Sequence, residues 1–344
     1  MQRDPYFDNL RFILIAFVVV GHFALVYQAG AYSHSIYTLK NWIWIFHMPA
    51  FLFVSGLFAK RIYVPSRGLD MNAIAFYVVM YVLFSIVIQL VMSTYSVAEF
   101  DLFHVYRIPW YFLALAILGA SLPIVAHIRG GAKVVVPLAV AFAVLAGGSD
   151  GFGSFLSSGR IMNFAPFYFL GYFLDRETFE HMVDTVQSRR LYMALDVMFL
   201  AAIFVVLWVV PREVSSTMNA LSMAYSPYAS CGELPLPTIV FMRVVWFALA
   251  FAMTFGVSAL VPRRKVFYSE MGQRTLQVYL LHPLIYLPIR GFEVIPRFIP
   301  PALMLDGWTI VAFGLAVTFL LAWPQAPARL LKRFQRSIRV SNLQ

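Results

Sequence analysis

The sequence predicts an all-α polytopic membrane protein with about ten transmembrane helices and both termini in the cytoplasm. Apolar residues make up 61% of the 344-residue chain and charged residues 12%, about half the charged share of a typical soluble domain. Apolar runs of about 20 residues recur along the chain, and each is long enough to span a bilayer. Lys and Arg residues are concentrated in alternate loops, the distribution that the positive-inside rule describes.

The apolar runs are separated by loops rich in glycine, proline and polar residues, and this alternation defines the predicted spans. The fifth, sixth and ninth spans are short or interrupted by proline. We predict one integral-membrane domain over residues 1–344, with its membrane core at about 6–323 and a basic cytoplasmic tail at 324–344. The predicted spans are approximately 9–29, 41–59, 71–93, 109–126, 133–147, 161–174, 191–210, 238–261, 275–290 and 305–323.

The distribution of charge argues against a nucleic-acid-binding protein and predicts the orientation of the chain in the membrane. The net charge is +10, but the basic residues lie at the ends of spans rather than in one patch, which argues against nucleic-acid binding. Most of the 26 Lys and Arg residues fall on the side that holds both termini, so that side is predicted to be the cytoplasm. The single cysteine, Cys231, allows no intrachain disulfide.

The first span contains the sequence FDNLRFILIAFVVVGHF at residues 7–23, which includes three ionisable residues. Eleven residues bring His22 to within about 20° of Arg11 around the helix, and Asp8 neighbours Arg11 at the i,i+3 spacing. The three side chains therefore share one face, along which Arg11 and His22 are about 16 Å apart. Because a charged group in hydrocarbon is costly, this face is predicted to line a cavity or meet a polar partner. His22 could also be a structural hydrogen-bonding residue.

The second span, NWIWIFHMPAFLFVSGLFAKR, enters from the other side and places His47 about 9 Å below that boundary. His22 is about 18–20 Å from the cytoplasmic boundary, so in a core of about 30 Å the two histidines reach a similar depth. Pro49 removes a backbone donor and is expected to bend the helix there. The two histidines are predicted to share one cavity, although His47 could also serve only as a structural hydrogen-bonding residue.

Three further positions in the spans are candidates, and each has a structural alternative. His282, in LQVYLLHPLIYLP, lies about 10 Å from the cytoplasmic side. It either lines an inner vestibule with Tyr279 or caps backbone groups that Pro283 leaves free. Trp110 follows Pro109 and either lines the cavity or belongs to the aromatic belt at the membrane interface.

The remaining candidates are basic residues at the cytoplasmic end of the second span. Lys60, Arg61 and Arg67 lie where the phosphates of a cytoplasmic cofactor would bind, since Lys and Arg are favoured partners of phosphate. They could equally be charges that only set the topology. The sequence contains no His, Cys and carboxylate spacing typical of a metal site, so no metal is expected. It also lacks a Gly-rich phosphate loop and a G-x-S-x-G nucleophile motif.

These residues and several short blocks resemble the membrane-bound acyltransferase 3 family. Arg11, followed by ten residues and His22 on the first of ten helices, is similar to the family's signature. The other blocks follow in the family's order, and the matches cover about residues 6–290. The closest branch is the fucose 4-O-acetylase-like one. The other blocks are FHMPAFLFVSGLFAKR, IPWYFLALAI, FAPFYFLGYFL and VYLLHPLI.

The resemblance implies an enzyme of the bacterial plasma membrane that transfers an acyl group, usually acetyl, from cytoplasmic acetyl-CoA to a hydroxyl group of a cell-envelope sugar or glycolipid. Many members add an esterase-like domain, which this chain is not expected to have. A bacterial trehalose-mycolate acetyltransferase would have this stand-alone layout and is one candidate. The expected partners are the lipid bilayer, acetyl-CoA and the acceptor, while the oligomeric state is left open.

The resemblance and the polar face of the first span together suggest a role for each candidate. His22 is expected to be the general base that takes the proton of the acceptor hydroxyl, because imidazole titrates near neutral pH. Either His47 or a nearby backbone amide is expected to donate to the negative charge that develops. Arg11, with Asp8 as its partner, is expected to hold the cytoplasmic half of the acyl donor or to orient a carboxylate. Acetyl-CoA is expected to contact Lys60, Arg61, Arg67, Tyr279 and His282, and the acceptor to contact Trp110.

A proton-coupled transporter or flippase of a glycolipid or sugar is the competing class, since buried ionisable residues on one helix also suit proton coupling. Such transporters are commonly built from inverted repeats with paired broken helices. No such repeat is evident in this sequence, so the pattern favours an enzyme over a transporter.

Overall fold

The computed structural model describes residues 4–27, 33–96, 101–104, 108–149, 151–224, 227–231 and 233–338. Within these ranges the regular structure is helical except for one antiparallel hairpin, in which β1 (Tyr63–Val64) pairs with β2 (Gly68–Leu69). The α-helices are α1 (Pro5–Tyr27), α2 (His34–Leu57), α3 (Met71–Met92), α4 (Trp110–Val125), α5 (Ala132–Ala146), α6 (Ser158–Phe173), α7 (Arg176–Gln187), α8 (Arg190–Val209), α9 (Arg212–Met223), α10 (Leu236–Ala259), α11 (Thr275–Leu281), α12 (Pro283–Gly291), α13 (Val294–Phe298), α14 (Trp308–Ala322) and α15 (Ala326–Ser337). Turns of 3₁₀ helix cover Ala59–Arg61, Phe155–Ser157, Tyr228–Ser230, Met271–Arg274 and Pro301–Gly307.

The prediction of a helical membrane protein is confirmed. Each predicted span overlaps one helix or, for the ninth, the pair α11 and α12, while the end of the first span, 28–29, lies outside the described residues. In the part of the chain that the structure describes, six segments are long and apolar enough to cross a membrane, and α4 and α5 are shorter apolar helices. The ten crossings and the cytoplasmic termini remain predictions. The six segments are Pro5–Val26, His34–Arg61, Met71–Ser93, Arg190–Val209, Leu236–Ala259 and Leu305–Ala322.

The helices α1 and α2 form the centre of the bundle. In their most apolar windows 67% and 78% of the residues are buried, against 11% in α8. The helix α1 packs against α2, α11, α12 and α14, and α2 packs against α6, α8 and α10. A helix that is apolar on nearly all sides is stable when neighbours surround it. The buried polar residues of α1 and α2, such as Asn9, Asn41 and His47, therefore lie among other helices.

The helices α2 and α6 approach each other closely at a pair of glycines. A Cβ atom on Gly56 would lie 2.1 Å from the carbonyl oxygen of Tyr168, and one on Gly171 would lie 2.2 Å from that of Phe53. No side chain fits at either position, so the close approach of the two backbones requires glycine at both. The contact holds the last turns of α2 and α6 together.

One end of the bundle, where α1 begins and α2 ends, carries most of the described ion pairs, and we call it the basic end. Arg176 on α7 pairs with Asp4 at 3.4 Å and with Glu180 at 2.9 Å, and Arg263 pairs with Glu180 at 3.2 Å. The amide of Asn9 donates to two backbone carbonyls of the loop after α10. These bonds tie the start of α1 to α7 and to the end of α10. The other end, where α1 ends and α2 begins, is called the opposite end.

The ninth span is broken at Pro283. The helix α11 ends at Leu281 and α12 begins at Pro283, whose ring has no N–H to donate. His282 between them keeps helical torsion angles (φ −60°, ψ −32°), and its N–H donates to the carbonyl of Val278 at 3.0 Å. The helical path continues through the break, so residues spaced by four remain on one face.

Three helices, α7, α9 and the five-residue α13, lie in segments that were expected to be loops. The helices α7 and α9 have 12 residues each. The buried residues of α7 are Phe179 and Val183, and most of its other residues are polar. Such segments are too short and too polar to register as apolar runs. The predicted basic tail is described as far as Ile338, and α15 occupies Ala326–Ser337 within it.

Candidate active site

Two adjoining cavities lie beside α1 in the middle of the bundle. We call the larger one, of about 280 Å³, the His22 cavity, and the smaller one, of about 120 Å³ on its basic-end side, the apolar cavity. The two share Val18, Met48 and Tyr279 in their walls. The polar and aromatic wall of the His22 cavity consists of His22, Trp44, His47, Trp110, Arg160, Phe164, Ser222, Tyr279, Tyr286 and Arg290.

The apolar cavity continues the face of α1 that the sequence analysis singled out. It is lined by Ile15 and Val18, which lie between Arg11 and His22 at spacings of three and four residues. Residues at these spacings stand above one another on a helix. One face of α1 therefore leads from Arg11, past the apolar cavity, to His22. Arg11 itself lines neither cavity.

His22 lies against His282, which is fully buried. Nδ1 of His22 is 3.3 Å from Nε2 of His282, and Nδ1 of His282 is 2.9 Å from the carbonyl oxygen of Val278. A carbonyl oxygen only accepts, so in the neutral ring of His282 the proton is on Nδ1 and Nε2 accepts. His22 must then donate from Nδ1 and keep a lone pair on Nε2. These tautomers, assigned from the hydrogen-bond chain, make Nε2 the basic nitrogen of His22.

The ring of His22 is also held by Tyr286, one helical turn beyond His282. The two rings are stacked at 5.1 Å with an interplanar angle of 19°, and Tyr286 is also stacked on His282 at 6.0 Å. Such aromatic contacts add about 0.5–1.5 kcal/mol beyond the buried area. Both residues that orient His22 therefore come from the broken ninth span, on either side of Pro283.

His47 lines the same cavity from α2 and is 7% exposed. The two histidines that were expected at similar depth thus face one cavity. Nδ1 of His47 is 2.9 Å from the carbonyl oxygen of Ile43, so the neutral ring carries its proton there and has a lone pair on Nε2. In this form His47 accepts a hydrogen bond from a ligand and donates one only as an imidazolium. The expected donation to a developing negative charge does not fit the neutral ring.

Tyr279 and Trp110 both lie in the wall of the His22 cavity. Tyr279 lines both cavities, and its hydroxyl donates to the carbonyl of Ile108. Trp110 is 6% exposed and stacked on Phe164 at 5.3 Å. An indole of an interfacial belt would face lipid headgroups, so its burial favours the interpretation as a wall residue.

Arg11 and Asp8 lie at the basic end, next to Phe58. Nη1 of Arg11 is 3.8 Å from Oδ1 of Asp8, and the amide of Gln273 donates to Asp8 at 3.0 Å. The guanidinium of Arg11 lies 4.4 Å from the centre of the Phe58 ring, and those of Arg61 and Arg176 lie 5.0 and 5.8 Å from it. We call the three arginines around Phe58 the guanidinium cluster.

The residues expected to contact acetyl-CoA lie in two separate places. Lys60, Arg61 and Arg67 are exposed at the basic end and line none of the cavities described. Lys60 pairs with Asp175, and Arg67 donates to the backbone carbonyl of Lys60 at 3.1 Å. Tyr279 lies at the junction of the two cavities, while His282 contacts His22 rather than a vestibule at the basic end.

Comparison with known families decides the class of the protein. Residues 4–325 match the family model of an acyltransferase domain. The chain belongs to the acyltransferase 3 family. No curated protein and no solved structure matched it. The family and the apolar helices together make the chain a multi-pass membrane acyltransferase, and its branch within the family remains a prediction.

A third cavity of the acyltransferase, of about 440 Å³, lies at the basic end. Its wall contains four basic side chains, against the carboxylates of Asp8 and Glu270. Lys265 donates to Glu270 at 2.9 Å, and this bond holds the pKa of the Glu270 carboxyl below its ordinary value. The basic side chains are Lys265, Arg274, Arg329 and Lys332. Within the described residues, no group of three or more His, Cys, Asp or Glu side chains could hold a metal ion.

The candidates chosen from the sequence omit several wall residues of the His22 cavity, among them Arg160, Tyr286 and Arg290. The sequence analysis counted Arg160 and Arg290 only as charges at the ends of spans, and it did not single out Tyr286. A signal was available for two of them. His282, Tyr286 and Arg290 follow one another at intervals of four residues, and this spacing predicts one helical face. Arg160 gives a weaker signal, since its neighbour in the cavity wall on the same helix is the apolar Phe164, four residues on, and the polar wall residues come from other helices.

Proposed function

We propose that this acyltransferase moves an acetyl group from cytoplasmic acetyl-CoA to a hydroxyl group of a cell-envelope sugar or glycolipid at the bacterial plasma membrane. The observation that supports the proposal most is the position of His22. Its ring is held by His282 in the wall of the His22 cavity, next to the apolar cavity. A base in the wall of one cavity can act on an acceptor bound there and on a donor that reaches it from the adjoining cavity.

His22 acts as the general base in the proposed reaction. Nε2 takes the proton of the acceptor hydroxyl while the oxygen attacks the carbonyl carbon of the thioester. The carbon–sulfur bond then breaks, and the CoA thiolate leaves and receives the proton from His22. His282 accepts the Nδ1–H hydrogen bond of His22 throughout, which keeps the ring in the productive tautomer, as the third member of a nucleophile, base and orienting group does.

The apolar cavity is the proposed place of the acetyl thioester. Its wall combines Ile15, Phe51 and Leu276 from three different helices, and these side chains suit a methyl group and the unbranched arm that carries it. The arm would follow the face of α1 from Arg11 to His22, a distance of about 16 Å along the helix. The sulfur would then lie within reach of His22.

The guanidinium cluster is the proposed place of the CoA phosphates. Arginine binds phosphate through paired hydrogen bonds, and Arg11 and Arg61 flank Phe58 where the face of α1 reaches the basic end. Asp8 holds Arg11 from the other side. Among the predicted basic contacts, Arg61 thus fits better than Lys60, which is engaged by Asp175.

The acceptor is proposed to bind in the His22 cavity. Trp110 and Trp44 supply aromatic surface there, which suits the apolar faces of a sugar ring. The lone pair on Nε2 of His47 can accept a hydrogen bond from a second hydroxyl of the acceptor. That contact would orient the sugar without competing with His22 for the reacting proton.

The test uses membrane vesicles that contain the full-length chain and acetyl-CoA labelled in its acetyl group. We expect the label to appear in the lipid or glycan fraction as an ester that hydroxylamine releases. Vesicles from the same host without the chain are the control. Movement of a sugar or glycolipid across the vesicle membrane that needs no acetyl-CoA, with no label in either fraction, would instead show a transporter or flippase.

A further inference from the structure

The cavity of about 440 Å³ at the basic end has no role in the proposed reaction, and we call it the basic-end cavity. It shares no wall residue with the His22 cavity or the apolar cavity, so a ligand bound there need not reach His22. Its volume lies within the range of cavities that bind small molecules. Its wall is formed by the start of α1, by the segment from Lys265 to Arg274, and by α15 with the preceding Gln325.

Positive charge is in excess in this wall, which contains four basic side chains but only two carboxylates. Lys265 balances one carboxylate, that of Glu270, at 2.9 Å. The other carboxylate, that of Asp8, pairs at 3.8 Å with Arg11, which lies outside the wall. Among the described wall residues, three basic side chains therefore line the cavity without a carboxylate of the wall to balance them. They are Arg274, Arg329 and Lys332.

Arg274 is held in place by the end of α14. Its Nη1 donates to the carbonyl oxygens of Ala322 and Trp323, at 2.8 and 3.0 Å. Both bonds use the hydrogens of one nitrogen, so the paired donors Nε and Nη2 can serve a ligand. Such a pair matches two oxygens of a phosphate. Because the side chain is already fixed, binding costs it less conformational entropy.

Exposed apolar side chains border the basic-end cavity. Trp323, whose carbonyl holds Arg274, is exposed, and so is Leu330, which follows Arg329 of the wall. Phe267 is also exposed, and it lies in the loop that forms one side of the cavity. Exposed apolar surface of this kind marks a contact with membrane or protein, and tryptophan is enriched where headgroups meet the acyl chains. These neighbours indicate that the cavity lies at the level of the lipid headgroups.

The helix α15 has the pattern of a helix that lies on a membrane surface. Its basic residues follow one another at intervals of three or four and so share one face. Its apolar residues include Leu331 and Phe334, which pack half-buried against the core. An amphipathic helix with Lys and Arg on its polar face binds the interface of a bilayer that contains anionic lipid. The basic residues are Arg329, Lys332, Arg333 and Arg336.

We propose that the basic-end cavity binds the phosphate of an anionic phospholipid headgroup, between Arg274 and the basic face of α15. The excess of positive charge favours an anionic headgroup over a zwitterionic one. The exposed apolar side chains beside the cavity allow the acyl chains of the same lipid to stay in the bilayer. The phosphate of a soluble ligand could use the same donors but not this apolar border. The site is separate from the guanidinium cluster and does not depend on acyl transfer.

The test measures the binding of short-chain lipids to the full-length protein in micelles of a non-ionic detergent. The probes are dihexanoyl phosphatidylglycerol, which is anionic, and dihexanoyl phosphatidylcholine, which has the same chains and phosphate but no net charge. Affinities are obtained from the rise in melting temperature during titration. We expect phosphatidylglycerol to bind at least about tenfold more tightly at low salt, with a ratio that falls as salt is added. A ratio near or below one, or no stabilisation by phosphatidylglycerol, would overturn the proposal.

Two double variants show whether the cavity causes the preference. Arg329→Gln with Lys332→Gln removes two charges from the wall and should reduce the ratio to less than about threefold. Arg333→Gln with Arg336→Gln is the matched control, because it removes the same charge from the same face of α15 but changes no wall residue. It should keep the ratio above about fivefold, since the wall is intact. Equal losses in the two variants would show a diffuse attraction of the helix and contradict a site in the cavity, as would an unchanged ratio in the first variant.

The melting temperature without lipid reports whether the variants fold. The four substituted side chains are exposed, so it should stay near wild type. Lys332→Gln alone is a milder variant, and it should lower the ratio by a smaller factor than the pair does.

CoA is the probe for a soluble phosphate. Its proposed site is the guanidinium cluster, so it should stabilise wild-type protein and the variant with Arg329→Gln and Lys332→Gln to the same extent. Loss of stabilisation by CoA in this variant would assign the basic-end cavity to a soluble phosphate and overturn the proposal.

Discussion

The middle of the bundle and the basic end hold their polar groups in different ways. Around His22 the contacts are buried and directional, and His282 is held by the carbonyl of Val278 while it contacts His22. At the basic end the charges are partly exposed and share partners. For example, the single carboxylate of Glu180 pairs with both Arg176 and Arg263. The middle of the bundle therefore specifies one arrangement of its polar side chains, whereas the basic end is compatible with several arrangements of its ion pairs.

The difference follows from access to water. At the basic end solvent can replace a lost partner, and exposed ion pairs contribute little to stability, about 0–1 kcal/mol. In the buried region a group that loses its partner stays unsatisfied, which costs about 1–3 kcal/mol. Substitutions should therefore have effects on acyl transfer that decrease from His22 towards the basic end. Four variants test this expected order of effects.

The largest effect is expected for His22→Ala. Removal of a general base typically lowers the rate by about 10²–10⁴-fold, and here the lost group is the only base that the proposed reaction employs. The measurement is kcat/KM for acetyl transfer in vesicles. His127→Ala is the matched control, because His127 is exposed and contacts the carbonyl of Pro123 outside the cavities. Near wild-type transfer by well-inserted His22→Ala protein would rule out the base role.

The next effect is expected for His282, which acts through His22. His282→Ala should lower kcat by about 10–100-fold with little change in KM, since the base loses the acceptor that sets its tautomer. His282→Gln should recover part of kcat, because the amide oxygen can accept the hydrogen bond from Nδ1 of His22. A purely structural role predicts no such recovery, so equal losses in the two variants would count against the tautomer assignment.

A smaller effect is expected for Arg11→Lys at the edge of the guanidinium cluster. Lysine keeps the charge but loses the planar fork and the contact with Phe58, so KM for acetyl-CoA should rise by about tenfold while kcat stays close to wild type. Steady-state kinetics with varied acetyl-CoA give both values. An unchanged KM would show that the guanidinium cluster does not bind the CoA phosphates.

The smallest effect is expected for Lys60→Ala. Lys60 and Asp175 are 46% and 70% exposed, and an exposed pair of this kind changes stability by less than about 1 kcal/mol. Both KM for acetyl-CoA and the melting temperature should therefore stay near wild type. A rise in KM as large as that of Arg11→Lys would show that Lys60 leaves Asp175 and binds a phosphate. The phosphate contact is the role that the sequence analysis expected for Lys60.

The sequence predicted the parts of the site that depend on one helix. The helical period placed Arg11 and His22 on one face, and the face is continuous in the structure through Ile15 and Val18. The depth of His47 depended only on its distance from the end of its own span, and it lines the same cavity as His22. Such properties follow from the rise and twist of a helix, which a sequence carries directly.

The sequence did not reveal the contacts that depend on how helices rotate against one another. His282 was expected near the basic end, but the packing of α11 and α12 against α1 brings it to His22. Arg160 was not distinguished from a topogenic charge because both occur at the ends of spans. The charge count that orients a membrane protein gives the same weight to an arginine in a loop and to one in a cavity wall.

For the fold as well, the sequence predicted what depends on a single helix but not what depends on contacts between helices. The apolar runs located α1–α6, α8, α10 and α14, because hydrophobic length alone identifies a candidate span. They did not locate α7 or α9, whose stability comes from packing a few side chains such as Phe179 on neighbouring helices. Amphipathic helices of 12 residues are marginal in isolation, so tertiary contacts decide whether they form.

The glycine contact between α2 and α6 has a consequence for how the acceptor enters. Gly56 and Gly171 hold the two helices together at the basic end, whereas His47 and Arg160 lie on the same two helices toward the other end. Two helices whose closest approach is at one end separate more easily at the other. In the proposed reaction, any widening of the His22 cavity by these helices would thus open it toward the opposite end, from which a large acceptor would enter, rather than toward the guanidinium cluster.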